Sequence, residues 1–266
     1  LQHADNKFCK AISEYGEHQR NLARLTQVMV DSLRAAYRGG SQHSNYANHL
    51  VTWLRGRGLD NIDTLDIGVL PPMLNIVQAL GGDDSAEARW ARDYLNFENY
   101  PSWIGALVLP HRIEPRTISR LKLRQPATKD FRWVDDRFSE AADGILGIFG
   151  LPHYEMLLGN SYAVVAHVVE GEFDALCVTA AQQKQGSDPW PMFSWGGSAA
   201  QLDRRTLDRL ARLNVSEVRI IPDNDDGGVG FTQIVLKQGN SDTSYRIMKW
   251  PVLDTRLDTI KDPADW

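Results

Sequence analysis

The first hundred residues carry apolar side chains at helical spacing. Along residues 22–36 these side chains recur every three or four positions, which predicts an amphipathic helix ending at Gly39-Gly40. Its apolar face consists of Leu22, Leu25, Met29, Leu33 and Ala36. The pattern predicts three further helices: from Ser44 to the turn at 55–58, over 72–80 and over 85–96.

The pattern changes at Ile104, where an apolar run to Leu109 begins. Further along, Leu121 and Leu123 alternate with three basic side chains, those of Arg120, Lys122 and Arg124. Alternation with a period of two is typical of a half-exposed strand. We therefore expect a small, mostly antiparallel sheet over 104–149.

Strands and helices alternate after Gly159. The sequence predicts strands at 163–169, 191–195, 218–221 and 244–249, and helices at 172–183, 199–213 and 229–237. Such alternation predicts a parallel sheet with crossover helices, in which ligands bind at the carboxyl ends of the strands.

Composition and charge narrow the class of protein. The 266 residues are 42% hydrophobic and 24% charged, which argues against disorder. The net charge is -5, so any contact with nucleic acid must come from a local basic patch.

Cysteine spacing and hydropathy indicate the compartment. Cys9 and Cys177 have no partners at metal-ligand spacing, which excludes a zinc ribbon or disulfide scaffold and fits a reducing cytosol. No apolar run approaches the roughly 20 residues of a membrane helix, so we expect a cytoplasmic protein without membrane contact.

Acidic side chains follow two of the predicted strands. Glu170 comes directly after the strand at 163–169, and Asp174 lies four residues later. Asp223 and Asp225 follow the strand at 218–221, spaced so that both can point the same way. Four carboxylates crowded at one sheet edge have raised pKa values unless a cation neutralises them. Oxygen ligands without His or Cys select Mg²⁺ or Mn²⁺, so the sequence predicts metal-dependent phosphoryl transfer.

Three strings of residues carry a family resemblance. They are Val168-Val169-Glu170-Gly171-Glu172-Phe173-Asp174-Ala175-Leu176, then Asp223-Asn224-Asp225-Asp226-Gly227-Gly228, then Lys261-Asp262-Pro263-Ala264-Asp265. In order and spacing they resemble the three motifs of a Toprim domain in bacterial-type (DnaG-like) DNA primases, in the version carried by mobile elements or phages. Two earlier segments are similar to the rest of the primase catalytic core: 54–59 with Ile67-Gly68, and Val108-Leu109-Pro110 with the basic strand to Arg124.

The resemblance implies an α/β fold. Its Toprim domain, a Rossmann-like parallel sheet with flanking helices, would occupy 159–266, preceded at 1–158 by a helical and small antiparallel-sheet basic subdomain. The implied activity is primer synthesis, a metal-dependent nucleotidyl transfer from nucleoside triphosphates on a single-stranded DNA template. Glu170 would be the catalytic acid or base, or the residue that polarises the metal-bound group. Mg²⁺ or Mn²⁺ would be held by Glu170, Asp174, Asp223, Asp225 and Asp262. A replicative helicase is a further partner that the resemblance implies.

The segment 112–137 is basic, with eight Lys and Arg against four Asp and Glu. In an acidic chain this contrast favours a binding face over a merely solvated one. Arg120, Lys122 and Arg124 would hold template or triphosphate. Two other functions stay open: a Toprim nuclease that hydrolyses phosphodiesters with the same metals, and a degenerate module that binds nucleic acid or a replication partner without chemistry. The basic strand favours polymerisation over hydrolysis.

Three features have a simpler interpretation beside the functional one. Gly227-Gly228-Val229-Gly230 predicts a tight turn before a helix, with a phosphate-binding nest as the alternative. His167 predicts a core histidine with satisfied hydrogen bonds rather than a ligand. Four tryptophans could stack on bases, but packing in the core is the simpler interpretation for most of them: Trp53, Trp90, Trp103 and Trp133.

Overall fold

The computed structural model describes residues 2–39, 42–114, 116–128, 130–134, 149–150, 164–186, 190–194 and 204–248. These residues fall into two compact units. The first consists of the described residues of Leu1–Trp53, Ile67–Pro110 and Arg116–Gly144, and the second of those of Leu54–Asp66, His111–Pro115 and Ile145–Trp266. The predicted domain boundary, between residues 158 and 159, lies outside the described residues and stays a prediction.

The four predicted helices of the N-terminal half are present, but the first begins at Gln2, well before Leu22, and the short helix at Tyr100–Trp103 was not predicted. The helices are α1 (Gln2–Tyr37), a 3-10 helix (Gln42–Ala47), α2 (Asn48–Gly56), α3 (Met73–Ala79), α4 (Ala86–Tyr94) and α5 (Tyr100–Trp103). The predicted apolar face of α1 is buried throughout. The side chain of Ser85 caps α4 by accepting a hydrogen bond from the N–H of Ala88 at 3.0 Å.

An antiparallel sheet accompanies these helices, with the strand order β1-β2-β3-β4. The strands are β1 (Gly68–Val69), β2 (Leu107–Glu114), β3 (Thr117–Arg124) and β4 (Phe131–Val134). Strand β1 was not predicted, because two residues are too few for a periodic signal. Gly68 lets β1 approach α1 closely, since an added Cβ would lie 2.8 Å from the backbone of Met29.

The second unit contains a parallel sheet. Its elements are β5 (Val164–Val169), α6 (Glu172–Lys184), β6 (Met192–Ser194), α7 (Arg204–Arg212), β7 (Val215–Ile221), α8 (Asp226–Gln238) and β8 (Ser244–Ile247). The strand order is β6-β5-β7-β8, and every neighbouring pair is parallel. The predicted alternation of strands and helices is therefore confirmed for the described residues.

Two local predictions in this unit are wrong. Gly227 and Gly228 lie inside the first turn of α8 rather than in a turn before it, because Asp225 caps the helix there. His167 is buried, as predicted, but neither ring nitrogen has a hydrogen-bond partner among the described residues. Its ring instead stacks on Trp190, with 4.5 Å between the centroids. Burial lowers the pKa of His167 to about 4, and the nearby positive charge of Arg219 acts in the same direction.

None of the helices in the described ranges is both long enough and apolar enough to cross a membrane.

Candidate functional site

Glu170, Asp223 and Asp225 lie at the carboxyl edge of the parallel sheet. The paired positions of β5 and β7 end at Val169 and Ile221, so Glu170 follows β5 directly and Asp223 follows β7 after Pro222. The chain leaves β5 for β6 on one side and returns to β7 on the other. A parallel sheet opens a crevice where the strand order reverses in this way, and ligands bind there.

Asp225 starts helix α8. Its Oδ1 accepts a hydrogen bond from the N–H of Gly228 at 2.9 Å. A Cβ added to Gly227 would lie 3.0 Å from this Oδ1 and 3.9 Å from Oε2 of Glu170. The two carboxylates therefore flank one point at the N-terminus of α8.

The Glu170 carboxylate is in an unfavourable environment for a negative charge. Its Oε2 is buried and has no hydrogen-bond partner among the described residues. Burial raises the pKa of Glu170, and the negative charge of Asp225 raises it further. The backbone is held firmly, because Ser194 Oγ donates to the carbonyl oxygen of Glu170 at 2.8 Å. The end of β5 thus presents a carboxylate oxygen that none of the described residues hydrogen-bonds.

Asp174 lies on the first turn of α6 and is buried. Its Oδ2 accepts the N–H of Gly171 at 3.0 Å, which closes the turn between Glu170 and the helix. A Cβ at Gly171 would lie 2.6 Å from that oxygen, so a larger residue here would push the Asp174 carboxylate out of this hydrogen bond. The hydrogen bond to Gly171, the residue directly before α6, therefore fixes the Asp174 side chain.

The backbone of Asp223 packs against α8. A Cβ added to Gly228 would lie 2.7 Å from the nitrogen of Asp223 and closer still to its carbonyl oxygen. The Oδ1 atom of Asp223 is buried. Glycine at position 228 therefore brings the segment after β7 into contact with the helix that follows it.

The sequence-derived metal ligands are only partly described. Asp262 lies outside the described residues, and within those residues no three His, Cys, Asp or Glu side chains are grouped closely enough to hold a metal ion. Glu170 and Asp225 nevertheless fit a divalent cation. They are neighbouring oxygen donors, and the buried Oε2 of Glu170 has no hydrogen-bond partner among the described residues.

Basic and aromatic side chains share one face of strands β3 and β4 in the first unit. Trp133 is paired with Lys122, and Phe131 with Arg124. The guanidinium of Arg120 lies 3.5 Å from the ring centroid of Trp133, and Lys122 Nζ lies 4.7 Å from that of Phe131. We call Arg120, Lys122, Arg124, Phe131 and Trp133 the basic-aromatic face.

The exposure along this face differs from the prediction. Lys122 is only 4% exposed, so the prediction that this strand exposes its basic side chains is wrong at this position. Its ammonium group lies over the rings of Phe131 and Trp133, a cation–π arrangement. Phe131 is 58% exposed. Trp133 contacts two cationic side chains, those of Arg120 and Lys122.

Two contacts were not predicted, and both involve the segment from Glu170 to Asp174, which we call the acidic motif. His111 Nε2 lies 2.9 Å from Oε1 of Glu172, and Arg57 lies over the ring of Phe173 at 5.7 Å. Each joins residues far apart in the sequence, so no local pattern could indicate the pairing.

Comparison with known proteins identifies the fold. Residues 167–265 match the family model described as Toprim-like. No curated protein sequence matches the chain. Among solved structures, the DnaG primase catalytic domain bound to ssDNA is 19% identical with a TM-score of 0.59, covering 94% of this chain and 75% of that chain.

Two further structures agree. A DNA primase domain from Pseudomonas aeruginosa is 21% identical with a TM-score of 0.58, covering 88% of this chain and 72% of its own. The E. coli primase catalytic core is 18% identical with a TM-score of 0.55, covering 91% of this chain and 78% of its own. The resemblance to bacterial-type primase cores and the predicted α/β fold with a Toprim part are thereby confirmed.

Proposed function

We propose that this chain, which has the fold of bacterial-type primase catalytic cores, joins nucleoside triphosphates into primers on a single-stranded DNA template. The observation that supports this most is the pair of Glu170 and Asp225 where the strand order of the parallel sheet reverses. Neighbouring carboxylates at such an edge are suited to a divalent cation and a polyphosphate substrate.

Glu170 and Asp225 would hold Mg²⁺ or Mn²⁺, together with Asp174, Asp223 and Asp262 as the sequence motifs imply. A divalent cation bound there supplies positive charge that polarises the reacting phosphate and stabilises the attacking and leaving oxygens. Asp225 is oriented for this by its hydrogen bond to Gly228. Glu170 is oriented by the Ser194 contact to its backbone.

Glu170 would also move the proton or polarise the attacking group. Its Oε2 has no hydrogen-bond partner among the described residues, and its raised pKa makes it a better proton acceptor than an ordinary carboxylate. Replacing Glu170 should therefore impair chemistry more than folding.

The basic-aromatic face would hold the template or the triphosphate. Cationic side chains contact the phosphates of a single strand, and an exposed ring such as that of Phe131 offers a stacking surface for a base. The binding of single-stranded DNA by one primase relative of the same fold supports this assignment. A replicative helicase partner and a cytoplasmic location stay predictions from the sequence.

Incorporation of labelled ribonucleotides on a single-stranded template, with Mg²⁺ or Mn²⁺, tests the proposal. We expect primers from the wild type and a rate loss on the order of 10²-fold or more for Glu170→Gln. Glu98→Gln, at an exposed position of the first unit, is the control and should retain the wild-type rate.

The same reactions discriminate the other functions. Shortening of the template without primers would overturn the proposal in favour of a Toprim nuclease. Template binding without either product would overturn it in favour of a degenerate binding module.

A further inference from the structure

A buried hydrogen bond lies beside the acidic motif. His111 Nε2 and Glu172 Oε1 are 2.9 Å apart, and the two side chains are 0% and 1% exposed. Both residues belong to the second unit. The ring of His111 also packs against Phe149, with 6.2 Å between the ring centroids.

Glu172 occupies a special place in the sequence. It is the first residue of α6 and lies midway between Glu170 and Asp174. Unlike Glu170, which is half-buried, its side chain is almost completely removed from solvent. An acidic side chain in such a place is costly unless a buried partner compensates it, and His111 provides that partner.

We propose that the His111–Glu172 pair positions the acidic motif, holding the start of α6 so that Glu170 can bind the divalent cation. The turn is then fixed on both sides. Ser194 holds the backbone of Glu170, and His111 holds Glu172 two residues later. His111 and Glu172 touch neither cation nor substrate; they are positioning residues. This inference rests on the proposed function, because it presupposes the cation site.

Groups that orient metal ligands without binding the metal typically contribute 10- to 100-fold to metal affinity. The probe is Mn²⁺ alone, whose binding to the full chain is measured by electron paramagnetic resonance of the free ion. Thermal unfolding without metal is measured on the same samples, so stability and affinity are separated.

Two replacements divide positioning from packing. Glu172→Gln keeps an oxygen that can accept from His111, and we expect its Mn²⁺ affinity to stay within about twofold of the wild type. The double variant His111→Leu with Glu172→Met removes both members of this hydrogen bond at once, so neither is left buried without the other. We expect it to unfold near the wild-type temperature and to bind Mn²⁺ about 10-fold or more weakly.

A matched control lies one residue along the same strand. Arg112 binds Asp66 through Nε at 2.8 Å and Nη2 at 3.1 Å, also within the second unit. The double variant Arg112→Met with Asp66→Leu should leave the Mn²⁺ affinity unchanged.

Wild-type affinity in the His111/Glu172 apolar variant would overturn the inference, since the pair would only fill space. Equal losses in Glu172→Gln, or in the Arg112/Asp66 control, would overturn it too, because charge or general stability would then be responsible. In each of these cases the wild type still binds Mn²⁺ and the proposed function stands. Failure of the wild type to bind Mn²⁺ would overturn the cation site, and the inference with it.

Discussion

Glu170 and Asp225 approach the same point from two sides. A Cβ added to Gly227 would lie 3.9 Å from Oε2 of Glu170 and 3.0 Å from Oδ1 of Asp225. The two residues follow different strands, yet the charge of one raises the pKa of the other. Two negative charges so close together destabilise the folded protein until a bound cation compensates them.

The first prediction concerns that cation. Millimolar Mn²⁺ should raise the melting temperature, because a ligand at 100 times its Kd stabilises the folded state by about 2.7 kcal/mol. Asp225→Asn should remove most of this rise. It should not lower the metal-free melting temperature, since Asn caps a helix as well as Asp and repulsion with Glu170 is relieved. Thermal unfolding with and without Mn²⁺ measures both effects.

Asp226→Asn is the matched control, because Asp226 is exposed and lies in the same helix turn. It should leave the Mn²⁺ response largely intact. An equal loss in the two variants would show that the response depends on diffuse charge and not on the Glu170–Asp225 pair.

The second prediction concerns the basic-aromatic face. Arg120→Gln with Arg124→Gln should weaken binding of a single-stranded oligonucleotide and reduce the salt slope by about 1.4, which is about 0.7 for each phosphate contact. Lys122 is a poorer choice, because it is buried and its replacement would disturb packing. Fluorescence anisotropy across a salt series measures affinity and slope.

Arg132→Gln serves as the control for this face. Arg132 is paired with Leu123 and lies over the ring of Phe97, away from the basic-aromatic face. Its replacement should leave the salt slope unchanged. An unchanged slope in the Arg120/Arg124 variant as well would mean that the basic strand is only solvated.

The sequence predicted which edge of the parallel sheet carries Glu170 and Asp223, but it did not predict contacts between residues far apart in the chain. The β-rich runs before Glu170 and Asp223 reveal two strands, and parallel pairing brings their ends together. The burial of Lys122 was not predictable, because it depends on the register of a second strand carrying Phe131 and Trp133. The His111–Glu172 contact spans 61 residues and has no local signal.

The third prediction is a loss of stability in mild acid caused by His167. Its folded-state pKa of about 4 lies below the ordinary value of 6.5, so the unfolded chain takes up the proton first as the pH falls. Stability should be lost progressively between pH 6.5 and 4, by up to about 3 kcal/mol at the lower end. Above pH 6.5 this residue should contribute no pH dependence.

His167→Phe keeps a ring to stack on Trp190 and removes the titrating group. Denaturant unfolding at several pH values should show a shallower acid loss for this variant than for the wild type. His49→Gln, at an exposed position, controls for the loss of a histidine as such. If the free energy of unfolding fell equally with pH in the wild type and in His167→Phe, His167 would not be the cause of the acid loss.

The last prediction compares two glycines of the same helix. Glycine disfavours helices, which is why the sequence pattern placed 227–230 in a turn. The structure explains Gly228 by contact, since a Cβ there would lie 2.7 Å from the backbone nitrogen of Asp223. Gly230 has no described atom within 4 Å of an added Cβ.

Gly228→Ala should therefore destabilise the protein by at least about 2 kcal/mol, because a backbone atom cannot rotate away as a side chain can. It should also weaken the Mn²⁺ response, because the clash displaces Asp223 itself. Gly230→Ala should stabilise the protein by about 1 kcal/mol through helix propensity and leave the Mn²⁺ response unchanged. Denaturant unfolding of the two variants measures the difference, and equal effects would mean that helix propensity alone, and not the contact with Asp223, requires glycine at position 228.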